Sequence, residues 1–298
     1  MKSKVNLHVH TNYSDGIKTV FEVVSELKNG EIEYFAITDH DNIDSFYEAV
    51  GYAEKFNMKY FCGIELSCRF IHGEIGFDDL CGCHILGLGI NADEMQKRQK
   101  RHNEIKRINM QKLYESLIAD GFNLGTISAN PTRKDIIKAL VDKGYTNDKK
   151  DCKKDILSKP EYRQYADNSM GVQTAIQTIK ECGGLAIWAH PFKAPGFGRR
   201  EILDEKQISE LLDLMIKYGL DGIEAYYSHI VESPRFQVNE YTAKQIRFLE
   251  KLADSKKLIK SIGTDYHRQE NTSFDVEGII PDESIITCLE SRTENKNV

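Results

Sequence analysis

Short apolar runs alternate with segments of helical period along most of the chain. Seven runs have the length and the β-branched or aromatic content of strands, and they lie at residues 5–10, 34–37, 60–64, 84–90, 185–189, 222–226 and 258–263. Amphipathic segments with the period of a helix separate most of these runs. Strands and helices that alternate in this way form parallel sheets through right-handed crossovers. The pattern therefore predicts an α/β fold.

The alternation stops between residues 93 and 167. This stretch has helical patterns and no convincing strand, including a run over residues 96–119 whose apolar residues lie loosely on one face. We interpret residues 93–167 as a helical subdomain inserted into a strand–helix domain formed by residues 1–92 and 168–298. The polar tail after Thr287 is expected to be loosely held.

Composition excludes several classes of protein. A length of 298 residues suits one large α/β domain, with or without an inserted subdomain. The formal net charge of -6 argues against a protein that coats DNA, although it allows local basic patches. No run approaches the roughly 18 apolar residues of a membrane span. The N-terminus leads straight into the first predicted strand without an apolar signal region. We therefore expect no membrane partner and a cytoplasmic location.

The seven cysteines are scattered through the chain. An odd and dispersed set of this kind is typical of reduced thiols rather than of a disulfide framework. The run Cys81-Gly82-Cys83-His84 has the form of half a zinc knuckle, but no second pair with suitable spacing follows it. We therefore do not predict a structural zinc site in this run.

Polar side chains accompany the predicted strands. Successive side chains of a strand point to opposite faces, so His8 and His10 share one face while Leu7 and Val9 share the other. The histidines and carboxylates at or next to a predicted strand are His8, His10, His40, Glu65, His84, His190, Asp265 and His267. All except His84 lie toward the C-terminal end of their strand, and in a parallel barrel those ends meet on one face.

A divalent metal explains this set better than structural histidines do. Imidazoles and carboxylates packed together without a cation would suffer unpaired desolvation, whereas divalent metals bind both ligand types. For one strand-end histidine alone, a structural hydrogen-bonding role is the more common alternative. Independent structural histidines, however, have no reason to follow the strand ends as a set. We therefore predict a metal site on this face.

Seven motifs occur in order along the chain: His8-Val9-His10-Thr11, Ser14-Asp15-Gly16, Thr38-Asp39-His40-Asp41, Gly63-Ile64-Glu65, the isolated His84, Ala189-His190-Pro191 and Gly263-Thr264-Asp265-Tyr266-His267. Together they resemble the ordered motifs of the PHP (polymerase and histidinol phosphatase) superfamily, from the first strand to His267. The resemblance implies a distorted, TIM-like (β/α)7 barrel. It also implies a trinuclear site of divalent manganese, zinc or iron ions that performs phosphoester hydrolysis.

The resemblance further implies which residues hold each ion. One metal would be bound by His8, His10, Glu65 and Asp265, with Glu65 bridging. A second would be bound by Glu65, His84 and His190. The third would be bound by Asp15, His40 and His267. Some family members have histidine where this chain has Asp15, and the carboxylate makes the third site harder and more tolerant of manganese or iron.

One subgroup of the superfamily, with nucleotide phosphatase and 5′-to-3′ oligoribonuclease activity, resembles this chain in residues 38–41, in the helical insert and in residues 131–133. In that subgroup the arginine that corresponds to Arg133 tends to be followed by any one residue and then a histidine. In this chain Lys134 and Asp135 follow Arg133. The Gly and Arg that usually follow His-Pro are replaced by Phe192 and Lys193. Both departures from the family pattern bear on which substrate is bound more than on which reaction is catalysed.

The expected activity is hydrolysis of phosphomonoesters of small nucleotides, such as a nucleoside monophosphate or a 3′,5′-bisphosphate, or hydrolysis at the 5′ end of a short oligoribonucleotide. A hydroxide that bridges the metals would attack in line, without a covalent enzyme intermediate, and loss of Asp265 would abolish the reaction. One alternative is a phosphatase for histidinol phosphate or another small metabolite. The other, from a different class, is a non-catalytic metal-binding interaction module, which the complete ligand set argues against.

Several further residues are candidate contacts to the substrate. Arg133 opens a predicted capped helix, so it would clamp a phosphate with backbone and guanidinium donors if the insert caps the site. The alternative is a solvated first-turn arginine. His229, just beyond a predicted strand, is a candidate substrate contact or proton donor to the leaving group, and otherwise a solvent-facing loop histidine. Weaker candidates of the same kind as Arg133 are Lys193, Arg199 and Arg200.

Residues 97–112 form a basic stretch. It contains Lys97, Arg98, Lys100, Arg101, Lys106, Arg107 and Lys112 against only Glu104. An exposed basic helix would be able to follow an RNA backbone, which makes short RNA a candidate partner besides a small phosphorylated substrate. A solvated helix face is the more common explanation of such a run, and it is the one we favour.

Overall fold

The computed structural model describes residues 4–70, 82–195, 200–227, 240–267 and 283–294. The chain divides into two compact units, residues 1–96 with 170–298 and residues 97–169. All of the described strands belong to the first unit, and the described elements of the second unit are helical.

Eleven strands occur in the described residues. They are β1 Lys4–Asn6, β2 Ile32–Phe35, β3 Lys59–Tyr60, β4 Gly63–Arg69, β5 Gly82–Leu88, β6 Met170–Gly171, β7 Leu185–Trp188, β8 Lys193–Pro195, β9 Arg200–Ile202, β10 Gly222–Tyr227 and β11 Ile259–Gly263. The α-helices are α1 Val20–Asn29, α2 Phe46–Phe56, α3 Ala92–Ala119, α4 Arg133–Asp142, α5 Lys149–Asp151, α6 Pro160–Ala166, α7 Val172–Glu181, α8 Glu205–Lys217, α9 Glu240–Lys256 and α10 Glu283–Glu294. A π-helical turn, Cys152–Ile156, continues α5.

The strands form three separate hydrogen-bonded groups. β1, β2 and β3 make a parallel three-stranded sheet, and the order β11-β10-β7-β5-β4-β6 makes a six-stranded sheet. β8 and β9 pair as an antiparallel ribbon. The predicted α/β class is therefore confirmed. The described strands do not form one closed sheet, so the seven-stranded barrel stays a prediction.

β5 corrects the expectation of a uniformly parallel arrangement. It runs antiparallel to both of its neighbours, β4 and β7. The sequence between β4 and β5 has no helical pattern. A parallel return needs a crossover connection, usually a helix, whereas an antiparallel return needs only a turn or loop. The antiparallel direction of β5 is therefore the one that a short segment without a helical pattern favours.

Two other expectations about elements were wrong. The predicted strand at residues 60–64 is two strands, β3 and β4, so Glu65 lies inside β4 rather than at a strand end. The tail predicted to be loose after Thr287 continues α10, whose Ile285 and Leu289 are fully buried. These two residues are four positions apart and share one face of the helix. That face was overlooked because the surrounding residues are mostly polar.

Local sequence signals set the starts of several helices in the first unit. The Thr19 hydroxyl accepts a hydrogen bond from the Glu22 N–H of α1, and the Glu22 carboxylate accepts one from the Thr19 N–H. Asp204 and Gln207 form the same capping box at the start of α8. Both boxes satisfy backbone donors that the first helical turn leaves without a partner.

Two apolar clusters hold the first unit together. The larger one joins the six-stranded sheet to α7, α8 and α10, and the smaller one joins α1 and α2 to β2. Trp188 is the largest of the fully buried side chains. Burial of apolar side chains on this scale is the main favourable term in folding. It fixes the sheets on which the polar residues stand.

The second unit has an apolar core of its own. α3, α4 and the π-helical turn contribute buried residues that include Leu113, Leu117, Leu140 and Ile156. The predicted basic stretch lies in α3, where none of residues 97–109 is buried. In the described part of the chain, no helix combines the length and the apolar character needed to cross a lipid bilayer.

Candidate metal centre

The two histidines of the first motif lie just past β1. Both imidazoles are buried, and Leu7 and Val9 between and beside them are buried as well. His10 donates its N–H to the Tyr266 carbonyl oxygen at 3.0 Å, and Val9 forms an isolated parallel bridge with Tyr266. Extended backbone therefore presents the two imidazoles in the same direction, as the alternation rule requires.

The nine predicted ligands lie in three overlapping groups. Within each group, one ligand atom from every residue lies within 4.8 Å of the others. The groups are His8, Glu65, His190 and Asp265; His10, Asp15, His40 and His267; and His40, Glu65 and His84. Residues from seven separate parts of the sequence thus meet in one place.

Distance alone divides the ligands somewhat differently from the resemblance. His190 groups with His8 and Asp265, and His10 groups with Asp15. The His10 Nε2 atom nevertheless lies 3.3 Å from Asp265 Oδ1, so His10 also reaches the group that contains His8. The assignment of each ligand to one ion therefore stays a prediction.

Glu65 is the centre of the cluster. Five imidazole nitrogens lie within 3.2 Å of its carboxylate oxygens. They belong to His84 at 2.8 Å and His190 at 3.0 Å from Oε1, and to His10 at 3.1 Å, His8 at 3.2 Å and His40 at 3.2 Å from Oε2. A carboxylate with two oxygens in this position is suited to bridge two cations.

The antiparallel direction of β5 explains the position of His84. His84 lies near the N-terminal end of β5 and pairs with Ser67 of β4, and its carbonyl oxygen accepts the N–H of Ala189 at 3.0 Å. Ala189 directly follows the C-terminal end of β7. The beginning of an antiparallel strand and the ends of its neighbours share one sheet edge. His84, although it lies near the start of its strand, is therefore at the same sheet edge as the residues that follow the C-terminal ends of the neighbouring strands.

Burial and charge set the protonation of the carboxylates. Burial alone would raise the pKa of Glu65 and of Asp265, but the surrounding imidazoles outweigh it and hold both pKa values well below the usual range. Burial likewise acts to raise the pKa of Asp15, and the hydrogen bond to His267 together with His40 lowers it to about 2. All three carboxylates are therefore ionised near neutral pH.

The pKa values of the imidazoles are shifted in two directions. Burial lowers the pKa of His8, but Glu224, Glu65 and Asp265 outweigh it and raise the value well above that of free histidine. For His10 the nearby carboxylates of Asp265 and Glu65 outweigh burial in the same way and raise the pKa to about 9. At His40 burial prevails and lowers the pKa to about 4.

The donor set fits divalent metal ions. Four buried ligand atoms make no hydrogen bond of acceptable geometry within the described residues, and they are His10 Nδ1, His40 Nδ1, Glu65 Oε2 and Asp265 Oδ1. Buried polar atoms left in this state carry a desolvation penalty that a coordinated cation removes. Imidazole nitrogens suit zinc and iron, and carboxylate oxygens suit manganese.

Two of the predicted ligands have unusual backbone conformations. The φ angle is +29° at His190 and +51° at Asp265, whereas residues other than glycine seldom have positive φ. Such conformations cost free energy and persist where the surrounding structure enforces them. Both residues lie two positions past the end of a strand, β7 or β11, and turn their side chains into the cluster.

The predicted substrate contacts have different outcomes. The Lys193 ammonium lies 2.5 Å from Asp265 Oδ2 and so touches the ligand cluster. Arg133 is the first residue of α4 in the second unit, where burial lowers its pKa. His229 and Arg199 lie outside the described residues, as does the side chain of Arg200.

Residues 6–220, more than half of the chain, match the PHP domain family. The chain belongs to the PHP domain family. A phosphoribosyl 1,2-cyclic phosphate 1,2-diphosphodiesterase from Eggerthella lenta is 25% identical over 88% of this chain and 93% of its own length. A 5′-3′ exoribonuclease from Haemophilus influenzae is 25% identical over 90% of this chain and 91% of its own. A 3′,5′-nucleoside bisphosphate phosphatase from Chromobacterium violaceum is 27% identical over 63% of this chain and 67% of its own.

Two solved structures share the fold of this PHP domain chain. An amidohydrolase from Chromobacterium violaceum with bound sulfate and no metal aligns with a TM-score of 0.62 at 23% identity, and the alignment covers 97% of both chains. A protein from Bifidobacterium adolescentis described as a metal-dependent phosphoesterase aligns with a TM-score of 0.59 at 20% identity, over 97% of this chain and 96% of its own. The predicted membership of the PHP superfamily is confirmed, and these structural similarities concern the fold alone.

Two carboxylates beside the predicted ligands of this PHP domain chain were not predicted from the sequence. Asp39 accepts hydrogen bonds from the N–H and hydroxyl of Thr11 at 2.8 and 2.7 Å, and from the Ser14 hydroxyl at 2.7 Å. Glu224 is fully buried and contacts His8 and His190. The available signal for Glu224 was a glutamate in the otherwise uncharged strand β10, since buried acids normally have specific partners.

Proposed function

We propose that this metal-dependent phosphoesterase of the PHP domain family hydrolyses phosphomonoesters of small nucleotides, such as a nucleoside monophosphate or a 3′,5′-bisphosphate, or acts at the 5′ end of short oligoribonucleotides. The observation that carries the proposal is the convergence of nine residues with nitrogen or oxygen donor atoms in three groups. The group with His84 shares Glu65 with one of the other groups and His40 with the other. The names of the relatives refer to a phosphoribosyl cyclic phosphate, to RNA and to a nucleoside bisphosphate. These names support a substrate in which a phosphate group is esterified to ribose.

We propose three divalent ions of manganese, zinc or iron as the cofactors of this site. When bound, they would neutralise the phosphate charge and activate water for in-line attack. The ligands would be His8, His10, Asp15, His40, Glu65, His84, His190, Asp265 and His267. The outer nitrogens of two imidazoles are already held, because His190 Nδ1 lies 3.2 Å from the Lys193 carbonyl oxygen and His267 Nδ1 lies 2.8 Å from that of Asp265. Their Nε2 atoms are thereby directed toward the cluster.

The proposed barrel would close through short contacts between the two larger sheets. Val9 and Tyr266 form one isolated parallel bridge, and His40 and Glu65 form another. The Leu7 N–H also donates to the Ile262 carbonyl oxygen at 3.0 Å. These contacts support a distorted seven-stranded barrel in which the ladder is interrupted beside the ligands.

Lys193 is the described cation best placed to meet a phosphate. Its side chain is 39% exposed, and its ammonium contacts a carboxylate of the ligand cluster. An ammonium at this position can turn from Asp265 to a phosphate oxygen without leaving the site. The roles predicted for Arg133 and Arg199 as phosphate contacts and for His229 as a proton donor stay predictions.

The test is a substrate panel with metal-reconstituted protein. Metal-free protein is loaded separately with Mn²⁺, Zn²⁺ or Fe²⁺ and assayed with a nucleoside monophosphate, a 3′,5′-bisphosphate, a 5′-phosphorylated oligoribonucleotide, a ribose cyclic phosphate and histidinol phosphate. We expect release of phosphate or mononucleotide from a nucleotide substrate at least about tenfold faster than from histidinol phosphate, which corresponds to about 1.4 kcal/mol in the barrier.

Two variants accompany the panel. Asp265→Ala should abolish turnover because it removes a buried candidate ligand, whereas Asp221→Asn, one residue before β10, should retain it. Full activity of Asp265→Ala would contradict the proposed mechanism. Faster hydrolysis of histidinol phosphate would favour a small-metabolite phosphatase. Stoichiometric metal binding without turnover of any compound would favour a non-catalytic module.

A further inference from the structure

Glu224 makes two directed contacts from the middle of β10. It is fully buried, and each of its carboxylate oxygens has a different partner. Oε1 lies 2.9 Å from the Nδ1 atom of His8, and Oε2 accepts the backbone N–H of His190 at 2.8 Å. The carboxylate thus reaches the side chain of one predicted ligand and the backbone of another.

Both partners of Glu224 belong to the same ligand group. His8, Glu65, His190 and Asp265 form one of the three clusters. The other two clusters, one with His10, Asp15, His40 and His267 and one with His40, Glu65 and His84, contain no residue that a described hydrogen bond joins to Glu224. An effect of Glu224 should therefore be selective among the groups.

The contact to His8 decides which nitrogen faces the cluster. The opposite ring atom, Nε2, lies 3.2 Å from Glu65 Oε2 and 3.4 Å from Asp265 Oδ1. A neutral imidazole carries its proton on one nitrogen and a lone pair on the other. A carboxylate beside Nδ1 holds the proton there and leaves the lone pair on Nε2, where a metal ion can use it.

The contact to His190 supports a strained backbone. With φ at +29°, His190 is in a conformation that residues other than glycine rarely adopt. Its Nε2 atom lies 3.0 Å from Glu65 Oε1. The hydrogen bond to Glu224 Oε2 restrains the peptide that precedes this ring, so the same carboxylate sets the direction of a second ligand.

We propose that Glu224 is a positioning residue that orients His8 and His190 together and so builds the metal group of His8, Glu65, His190 and Asp265. The inference rests on the proposed metal set and on the grouping by distance, which places His8 and His190 with the same ion. It assigns to Glu224 no contact with the substrate. Its effect appears in metal affinity, and it is specific for one of the three groups.

Replacement of Glu224 by glutamine tests the idea sharply, because the side chain keeps its shape. If the glutamine amide nitrogen faces His8, it donates to Nδ1 and places the imidazole proton on Nε2, which removes the lone pair from the cluster. If the amide nitrogen faces His190 instead, two N–H donors oppose each other in a buried place. Neither orientation preserves both contacts.

The experiment is a titration of metal-free protein with Zn²⁺ against a chromophoric chelator, followed by a Co²⁺ titration read by ligand-field absorption. Wild type is compared with Glu224→Gln and with Asp221→Asn. Asp221 just precedes β10, accepts the Ala186 N–H at 2.8 Å and pairs with Lys180, and it touches no predicted ligand. The melting temperature of each metal-free protein is measured alongside.

We expect Glu224→Gln to weaken one class of metal site by about 10- to 100-fold, to leave the remaining sites unchanged and to alter the Co²⁺ spectrum of the weakened site. Asp221→Asn should bind metal like wild type. Unchanged affinity of every site in Glu224→Gln would overturn the inference, and so would an equal loss at all sites. If wild-type protein binds no metal, the proposed function fails together with the inference. If wild-type protein binds metal and Glu224→Gln binds it equally well, only the inference fails.

A measurement on wild type covers the case in which Glu224→Gln does not fold. Long-range ¹H–¹⁵N spectra of the Zn²⁺-loaded protein report the protonated nitrogen of each imidazole. The inference requires His8 to be protonated at Nδ1 and coordinated through Nε2. Coordination of His8 through Nδ1 would refute it, because Glu224 occupies that side of the ring.

Discussion

Glu65 shows how one residue connects groups that are far apart in the sequence. Its two oxygens contact five imidazoles, from motifs that begin at His8 and extend to His190. Burial opposes ionisation of a carboxyl group, yet His84 and the neighbouring imidazoles hold the pKa of Glu65 well below its usual range. An ionised and fully buried carboxylate at this point attracts cations to the centre of the cluster.

Metal binding should release protons. In the metal-free protein, burial lowers the pKa of His8 and His10, but neighbouring carboxylates outweigh it and raise both above 6.5, to about 9 for His10. Both rings are therefore protonated at pH 7, and coordination needs their lone pairs. Affinity should rise with pH up to about 9. Calorimetric titration with Zn²⁺ in two buffers of different ionisation enthalpy measures the release, and heats that do not depend on the buffer would contradict it.

Gly263 should tolerate no side chain. A Cβ atom there would lie 2.2 Å from the His8 Cβ and 2.7 Å from Glu224 Oε1. Gly263→Ala should therefore displace His8 and reduce the metal content measured after reconstitution. Gly51→Ala is the matched change, because a Cβ at Gly51 meets nothing within 4 Å. It lies inside α2 and should raise stability by about 0.5–1 kcal/mol without altering metal content. Equal metal content in both variants would show that His8 can move aside.

At the level of elements, the direction of β5 and the docking of α10 shape the first unit. The antiparallel course of β5 brings His84 to the edge where β4 and β7 direct their ligands. α10 packs Leu289 against Gly89, whose φ of +65° is strained for any residue with a side chain. The Arg292 guanidinium donates to the Gly183 carbonyl oxygen at 2.8 Å and anchors the end of the helix. A segment late in the sequence thus supports a turn just after β5.

Leu289→Ala should measure how firmly α10 is packed. The side chain is fully buried, so its truncation leaves a cavity and should lower the free energy of unfolding by about 2–5 kcal/mol. Thr287→Ala changes an exposed position of the same helix and should stay within about 0.5 kcal/mol of wild type. Urea unfolding followed by circular dichroism compares the two. A loss below 0.5 kcal/mol for Leu289→Ala, on the order of a surface change, would mean that α10 is not docked in solution.

Across the whole molecule, the ligands and the helices of the insert belong to different compact units. All nine predicted ligands lie in the unit of residues 1–96 and 170–298, whereas residues 97–169 have their own apolar core. α3 runs from the first unit into the second. Metal binding and the packing of the insert therefore draw on separate sets of residues.

Metal should stabilise the two units unequally. A ligand that binds only the native state adds to its stability, and local opening reports where that stability resides. We expect Zn²⁺ to slow amide hydrogen exchange in peptides of residues 4–70, 82–96 and 170–195, and to leave peptides of residues 110–166 nearly unchanged. Exchange mass spectrometry with and without a chelator makes the comparison. Equal protection of both units would show that they unfold as one.

The sequence by itself determined the α/β class, the PHP family and the chemical identity of the proposed ligands. Periodicity and short motifs are local properties, so they survive without knowledge of the packing. The same locality explains the helix starts at Thr19 and Thr132, whose capping boxes involve residues only three positions apart.

Only the tertiary structure decided the direction of β5, the docking of α10, the grouping of the ligands and the contacts of Glu224. Each of these depends on residues distant in the sequence, such as Glu224 and His8, which are 216 positions apart. Burial and strand pairing select such contacts through the free energy of the whole packed unit, and a local pattern carries little of that information. The sequence thus named the candidate ligands, and the fold decided how they are held.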